Sequence, residues 1–310
     1  GLLLRSPGFA LVEGGGLKLG DAAEAASRVS PTSSYNKYWL DLSLDPLNHD
    51  NHLRHTADLA HSHLLHLAEA SGAGADTLFA IPGNFNAQQL SILLGVARHS
   101  PWQAVGLVDS ALAAAATVVT ASDSRQNDYI HLDLQLHQVL ATRLEWQEGQ
   151  LQVARVAQIP GVGRENLIAT LLQAANDAFI QQCRFNPQHS AEHEQALYNE
   201  LKAWLAGQGQ DVETLVLELR TSTATHTAKV PRSQLTSLLR RHYQKVSEQI
   251  AALDSARSAQ LLLAEPLALL PDLTAGLADR AEVKTISESA ALDGALRYRQ
   301  AIERGNGALE

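Results

Sequence analysis

The amino-acid sequence predicts an α/β fold that is internally duplicated into two lobes. In the first half, an apolar strand at 78–81 precedes a Pro82–Gly83 break and a helix that opens at 84–89, and a second strand and an alanine-rich helix follow at 105–116. In the second half, strand patterns separated by turn residues run from 129 to 159. Because each half begins with antiparallel strands and continues through strand–helix units, the order of elements favours a duplicated α/β architecture.

The first half begins with a hairpin-like pair of strands at 1–4 and 9–12, and the glycines at 14–16 form a turn before a further apolar segment. The next segment, 21–26, has helical composition and an acidic first turn. The other elements predicted ahead of the strand at 78–81 are a loop over 31–50, anchored by Tyr35, Tyr38 and Trp39, and a long helix over 51–69.

The second half follows a polar segment at 125–128, which is the predicted boundary between the lobes. A three-stranded antiparallel meander comes next, because alternating strand patterns are separated by turn residues such as Glu148–Gly149. Ser233, just after Pro231, is placed to cap a later helix. The elements predicted in this half are strands over 129–134, 138–144 and 151–159, helices over 166–179, 191–205, 233–253 and 287–301, a strand pair over 214–220 and 225–230, and a buried strand over 259–264.

The composition is that of an ordinary soluble globular protein, and its charge disfavours some partners. The 310 residues carry a net charge of -9 at pH 7, so nucleic acid, which repels such a chain on average, is not an expected partner. The local basic patch is Arg240–Arg241 with Lys245. No apolar run reaches the roughly 20 residues that span a bilayer, so we expect no membrane insertion and a cytoplasmic location. The single cysteine, Cys183, has no partner for an internal disulfide, in keeping with a reducing compartment.

Four segments carry a resemblance to a known family. Residues 78–89 resemble the pattern V-P-A-Y-F-N-D-A-Q-R-Q, and residues 105–116 resemble I-N-E-P-T-A-A-A, both found in the DnaK-type heat-shock chaperones. Leu19–Ala23 is similar to that family's V-G-D-A-A helix start, and 287–295 is similar to its closing P-D-E-A-V-A-Y-G-A-A segment. The resemblance implies an actin-like (ribonuclease H-like), duplicated, bilobed ATPase fold.

The same resemblance sets the expected domain organisation. The family's peptide-binding β-domain is not expected in this chain, which ends where the ATPase domain would end. The lobes that the resemblance implies are a first lobe over 1–125, with a small insertion at about 21–74, and a second lobe over 126–310, with an insertion at about 181–254.

An eroded ATP site is a further implication of the resemblance. In this family the ATP phosphates are held by backbone N–H groups of glycine-rich hairpin turns, because only glycine lets the main chain approach so closely. The family's D-L-G-T-T turn aligns with Leu3–Pro7, and its D-L-G-G-G-T turn aligns with 133–138, where only Asp133 is kept. The adenosine-binding turn G-G-S-T-R-I-P corresponds to 264–270, where Glu265 would lie near the base or ribose and both glycines are lost.

Three side chains are candidate remnants of the catalytic machinery under the resemblance. Asp109 matches the acidic position of I-N-E-P, near magnesium-bound water, and Asp133 matches the aspartate of the second lobe. Two such carboxylates could hold a hydrated Mg²⁺, which needs few protein ligands. Lys37 lies in the neighbourhood of the family's catalytic lysine. The alternative interpretation is structural, with Asp109 capping the alanine-rich helix and Asp133 ending a strand.

Gly161 and Gly163 are the last candidate phosphate contact. They open a predicted helix whose N-terminus would favour an anion, and they match the family's G-G-E-D-F-D turn in position. The alternative interpretation of this short glycine pair is a tight turn.

Six histidines crowd the helix predicted over 51–69 and its lead-in. A metal site would need close pairs and a third ligand, and only i,i+3 pairs are present, so we predict no metal and prefer a solvated or partner-facing, pH-sensitive rim. No motif for nucleophilic catalysis occurs, and no His or basic motif marks Cys183 as a catalytic thiol. The six histidines are His49, His52, His55, His61, His63 and His66.

The leading functional hypothesis is a chaperone-like actin-fold protein with an eroded ATP site that acts as a non-catalytic protein-interaction or scaffold module. Its partner would be a protein of unknown identity, and no cofactor is expected. The alternative is a divergent ATP-binding, chaperone-related ATPase that uses ATP and Mg²⁺ with Asp109, Asp133 and Lys37. A sugar or acid kinase on the same fold would need the same phosphate turns.

Overall fold

The computed structural model describes residues 2–47, 53–72, 76–119, 128–209, 211–256 and 258–304. It shows a mixed α/β architecture with several separate sheets. We call residues 2–119 the N-terminal part and residues 128–304 the C-terminal part. Within the described ranges, no helix has both the length and the apolar character needed to cross a membrane.

The N-terminal part opens with a small antiparallel sheet. Strands β1 (Ala10–Glu13), β2 (Gly16–Leu19) and β3 (Ser34–Tyr35) lie in the order β2-β1-β3, and Gly14 and Gly15 form the β1–β2 turn at positive φ. Helix α1 (Asp21–Glu24) follows β2 directly. The strand predicted over 1–4 is wrong for its described residues, because residues 2–7 form no strand and pair with none. The first hairpin is formed instead by β1 and β2.

A second, parallel sheet completes the N-terminal part. Among the described residues it consists of β4 (Asp76–Ile81) and β5 (Gln103–Asp109), which are connected by α3 (Ala87–Arg98). The start of α3 is fixed by a reciprocal capping box between the Asn86 and Gln89 side chains and backbone amides. The elements on either side are α2 (Thr56–Ser71) and α4 (Ser110–Ala115). The predicted strand–helix–strand–helix order of this segment is confirmed.

The C-terminal part is built on a five-stranded sheet. Strands β6 (Tyr129–Leu134), β7 (Gln138–Gln147) and β8 (Gln150–Pro160) form the predicted antiparallel meander. Two parallel strands, β11 (Gln260–Ala264) and β12 (Val283–Ile286), extend it on the β6 side, in the order β12-β11-β6-β7-β8. The predicted buried strand is therefore β11, whereas β12 is too short and too polar to have been found from its sequence pattern.

Long helices and a hairpin cover one side of this sheet. The helices are α5 (Arg164–Cys183), α6 (Ala191–Leu205) and α7 (Arg232–Leu253), and the hairpin is β9 (Thr214–Arg220) with β10 (Thr225–Pro231). These elements confirm the predicted helices and strand pair of this region. The short helices near the end of the chain are α8 (Glu265–Ala268), α9 (Leu273–Ala278), α10 (Ala290–Arg297) and α11 (Arg299–Arg304).

One prediction about these short elements is wrong. The single closing helix predicted over 287–301 is two helices, α10 and α11, that meet at Tyr298. The segment after β11, which the resemblance aligns with the adenosine-binding turn, forms a short helix, because Glu265 begins α8 and Pro266 occupies one of its first positions, where a missing N–H costs nothing.

A buried ionic cluster ties the two parts together. The Glu24 side chain of α1 is 1% exposed and pairs with Arg164 of α5 and Lys202 of α6, each at 2.5 Å. The Tyr198 hydroxyl lies 2.7 Å from a carboxylate oxygen of both Glu24 and Glu165, and its single proton can bond to either. Because buried carboxylates are tolerated only with such partners, this cluster fixes the position of α1 against α5 and α6.

Candidate functional site

A cavity of about 210 Å³ lies where the β6–β7 turn meets the segment that follows β4. Its walls come from both parts of the chain and combine aromatic rings with side-chain amides. The residues that line it are Gly8, Asn36, Trp39, Leu40, Pro82, Asn84, Phe85, Gln135, Leu136, His137 and Gln138.

The β6–β7 turn is held closed by its own side chains. Gln138 donates from Nε2 to Oε1 of Gln135 at 2.8 Å, and the Gln135 backbone amide donates to the Gln138 carbonyl at 2.9 Å. Gln135 also reaches Oδ1 of Asn84 at 3.5 Å, across the cavity. Side-chain amides thus bridge the turn that corresponds, under the resemblance, to a glycine-rich phosphate turn.

The carbonyl groups of this turn hydrogen-bond to the N-terminus of α5. The amides of Arg164 and Glu165 donate to the carbonyls of Gln135 and Leu136 at 3.0 and 2.9 Å, and the Gly161 amide donates to the His137 carbonyl at 3.2 Å. A helix N-terminus binds an anion through amides that lack a partner. At α5 those amides already have protein acceptors.

Gly163 allows this close contact between α5 and the turn. A Cβ atom at Gly163 would lie 2.2 to 2.3 Å from backbone atoms of His137 and Gln138, so no side chain fits there. The Gly163 amide itself donates to Oδ1 of Asn166 at 3.1 Å. Gly161 adopts a φ of 73°, and its carbonyl accepts from the His242 ring at 3.2 Å. Both glycines are therefore used in packing and turn geometry.

Asp109 caps helix α4. Its Oδ1 accepts hydrogen bonds from the amides of Ala111 and Leu112 at 2.9 and 3.0 Å, as the structural interpretation of this residue expects. Its Oδ2 faces Gly83, whose position would place a Cβ only 2.8 Å away. Burial raises the pKa of the Asp109 carboxyl above its ordinary value, and the two amide hydrogen bonds oppose that shift.

Asp133 lies one residue before the end of β6, opposite Leu140 in the antiparallel register. Burial raises the pKa of its carboxyl to about 6, a hydrogen bond from the Gln135 side chain opposes the shift, and the charge of Glu288 adds to it. Glu288 in turn donates its amide to Glu265 Oε2 at 3.2 Å and pairs with Arg5. The structure therefore brings Asp133, Glu265 and Glu288 into one acidic neighbourhood.

Lys37 is the third of the candidate catalytic remnants. It is exposed, between the cavity residue Asn36 and the buried Tyr38, and among the described residues it makes no ion pair. Its backbone carbonyl accepts the Asp41 amide at 2.8 Å. The structure places Lys37 beside the cavity without directing it to Asp109 or Asp133.

A buried histidine beneath the cavity was not identified as a site residue from the sequence. His63 Nδ1 accepts from Trp39 Nε1 at 3.0 Å and from the Tyr38 hydroxyl at 2.8 Å, while Nε2 lies 2.7 Å from Ser6 Oγ. Because Trp Nε1 can only donate, Nδ1 is the acceptor and Nε2 carries the proton. His63 therefore donates to Ser6 and cannot act as its general base, so the Ser6–His63 contact is not a catalytic dyad.

The remaining histidines and Cys183 form no catalytic or metal site among the described residues. His55 is the N-cap residue of α2 and lies 3.3 Å from Asp58, and His61 contacts the His99 carbonyl at 2.9 Å. His49 and His52 lie outside the described residues. Over the ranges that the structure covers, no group of three or more His, Cys, Asp or Glu side chains is arranged to hold a metal ion. Cys183 ends α5, and its Sγ contacts the Thr227 carbonyl at 3.0 Å.

No family model matches this chain, and no curated protein matches it.

Proposed function

We propose that this chain is a module of the actin-like ATPase fold, similar to the nucleotide-binding domain of DnaK-type chaperones, that does not turn over ATP and works by binding another protein. Two features of the topology support the fold. The sheet order β12-β11-β6-β7-β8 joins an antiparallel meander to two parallel strands, and β4 and β5 repeat the parallel unit in the N-terminal part. Helix α4, which follows β5, packs against α10, which follows β12.

The contact between the β6–β7 turn and α5 carries the functional part of the proposal. Phosphoryl transfer depends on positioning the phosphates and stabilising their charge, and in this fold backbone amides do much of that work. Here the amides of Arg164 and Glu165 are bonded to carbonyls of the turn, and the side chains of Gln135 and Gln138 are hydrogen-bonded to each other across it. A triphosphate would have to break these hydrogen bonds before it could use the same amides.

Protein binding is supported by apolar side chains that the described chain leaves exposed. Leu292, Leu296 and Tyr298 lie within seven residues of one another on and just after α10. Clustered exposed apolar groups of this kind mark interaction surfaces more often than scattered ones do.

A second candidate function, ATP binding by a divergent ATPase, is favoured by the two aspartates. Asp109 caps α4 through Oδ1, so its Oδ2 takes no part in the cap. The pKa of the Asp133 carboxyl is raised toward neutrality. Perturbed carboxylates of this kind are enriched at functional sites.

Isothermal titration of the purified protein with ATP and Mg²⁺ separates the two functions. We expect no heat of binding and no phosphate release. Tight binding, or hydrolysis that Asp133→Ala abolishes and the exposed control Asp279→Ala leaves intact, would establish the ATPase instead.

A further inference from the structure

A second cavity, of about 370 Å³, lies in the C-terminal part, between α7 and the segment that contains α9. Arg240, Tyr243 and Ser247 of α7 line it, and their i, i+3 and i+7 spacing places them on one face of that helix. Other lining residues come from 272–280. Small-molecule pockets span roughly 300 to 1,000 Å³, so the cavity has the size of a site for a free small ligand.

Part of the lining of this cavity is apolar. Leu273 and Leu277 of α9 line it and belong to the main core of the C-terminal part, and Tyr243 packs against the same core. A Cβ atom at Gly276, between the two leucines in sequence, would meet no atom within 4 Å, so there is space beside them. An apolar group of a ligand therefore fits next to α9.

The Tyr243 hydroxyl is a buried polar group without a hydrogen-bond partner among the described residues. Burial raises the pKa of this hydroxyl and the charge of Asp272 adds to the shift, so at neutral pH it keeps its proton and can donate. The Asp272 carboxylate is not its acceptor, because it pairs with Arg232 at 2.7 Å. A buried donor without an acceptor costs folding free energy, which an acceptor atom of a ligand recovers.

Two guanidinium groups lie on either side of Tyr243 along α7. Arg240 precedes Tyr243 by one turn, and Nη1 of Arg280 lies 3.5 Å from the carbonyl of Ser247, one turn after Tyr243. Neither arginine pairs with a carboxylate in the part of the chain that the structure describes. Because the whole chain carries a net charge of -9, two such arginines at one cavity mark a local preference for an anion.

The charge of the lining favours an anion with a single charge. Asp272 lines the same cavity as Arg240 and Arg280, so part of the positive charge is already balanced. A phosphate monoester carries a charge of about -1.5 to -2 at pH 7 and would be repelled by Asp272 more strongly than a carboxylate. A carboxylate also matches the planar fork of an arginine side chain.

We propose that the cavity between α7 and α9 binds a free, small monocarboxylic acid with an apolar body. Its carboxylate pairs with Arg240 and Arg280 and accepts a hydrogen bond from the Tyr243 hydroxyl. Its body packs beside Leu273 and Leu277. The hydroxyl exposes almost no surface, so a lining side chain rotates as the acid enters. This binding site goes beyond the proposed protein-binding function and does not depend on it.

Fluorine NMR with para-fluorobenzoate as the probe tests the site. The linewidth of the probe during a titration with the purified protein gives a dissociation constant. We expect saturable binding from which benzoate displaces the probe. Benzamide, which lacks the charge, acetate, which lacks the apolar body, and inorganic phosphate at the same ionic strength should not displace it.

Substitutions of the two arginines show whether the probe binds at this cavity. Arg240→Gln and Arg280→Gln should each raise the dissociation constant about tenfold or more, because each removes a charge-assisted hydrogen bond. Arg241→Gln is the matched control, since it removes the same charge from the next residue of α7, which does not line the cavity. It should change the dissociation constant by less than about twofold, because exposed charges act weakly at a distance in salt.

Tyr243→Phe separates ligand binding from a structural role of the hydroxyl. It should raise the dissociation constant about fivefold through the lost hydrogen bond. The melting temperature of the unliganded protein should not fall, because the hydroxyl has no partner to lose among the described residues.

Four results overturn the inference: no saturable binding of para-fluorobenzoate, displacement by benzamide or phosphate as effective as that by benzoate, equal effects of Arg240→Gln and Arg241→Gln, or an unchanged dissociation constant in Tyr243→Phe. These measurements involve no nucleotide and no partner protein. A failure of this site therefore leaves the proposed function standing, and ATP binding would refute the inactive ATP site without affecting this one.

Discussion

His63 shows how one buried residue organises the wall of the cavity. Burial lowers the pKa of its imidazole to about 4, and the nearby His66 adds to the shift. The neutral ring accepts from Tyr38 and Trp39 and donates to Ser6, so four side chains share one fixed arrangement. Trp39, which lines the cavity, is oriented by this contact.

Replacing His63 by Ala should cost about 2 to 4 kcal/mol of unfolding free energy, because a cavity forms and the Trp39 and Tyr38 donors lose their acceptor. Urea unfolding at pH 7 measures the change. The exposed His99 is the matched control, and His99→Ala should change the unfolding free energy by less than about 0.5 kcal/mol. Equal effects of the two substitutions would contradict the buried network.

Asp133 should make stability depend on pH in a defined window. Because its folded-state pKa is about 6, above the unfolded value, the folded state holds the proton more tightly, and the stability that this supplies is lost as pH rises from about 4 through about 6. Asp133→Asn cannot ionise, so its unfolding free energy should rise relative to that of the wild type by about 3 kcal/mol across that window, and the difference should stay constant above it. Denaturant unfolding at several pH values measures the difference, and a difference that is constant with pH would refute the raised pKa.

Among the elements, those with a clear period or a clear cap were predictable from the sequence. The β6–β7–β8 meander alternates apolar residues between turn signals, and α3 begins at a capping box that Asn86 and Gln89 show in the sequence. β12 and α9 span only four and six residues, too few for a period to appear. The apolar run at 1–4 has strand composition, but strand formation needs a pairing partner that composition does not reveal.

The crossing of α4 and α10 depends on one small residue. A Cβ atom at Gly294 would lie 1.9 Å from the Ala113 carbonyl oxygen, so Gly294→Ala must separate the helices and should cost about 3 kcal/mol. Gly276 of α9 has no atom within 4 Å of its Cβ position, so Gly276→Ala should be neutral or stabilise by up to about 1 kcal/mol. Thermal unfolding of both variants measures this, and a tolerated Gly294→Ala would contradict the close crossing.

Over the whole molecule, the sequence could indicate the candidate residues but not their partners. Asp109 was predictable as a helix cap because its cap is local in sequence. The contact between Gln135 and Arg164 and the pairing of Glu24 with Lys202 join residues that are far apart along the chain. Such contacts depend on how the elements pack, and no spacing rule for a single sequence encodes them. The role of Gly161 and Gly163 could not be decided from the sequence for the same reason. Both a phosphate contact and a tight turn fit the pattern, and the contact of Gly163 with His137 and Gln138 depends on the packing of α5.

The most direct measurement of the central claim is a ¹H–¹⁵N NMR titration of the protein with ATP and Mg²⁺. We expect that the amide resonances of Gln135 and of 163–165 do not move, because the Gln135, Arg164 and Glu165 amides bond to carbonyls of the β6–β7 turn and the Gly163 amide bonds to Asn166 Oδ1. A saturable shift of these resonances at micromolar ATP would show that the turn opens around a triphosphate, and it would contradict the inactive site.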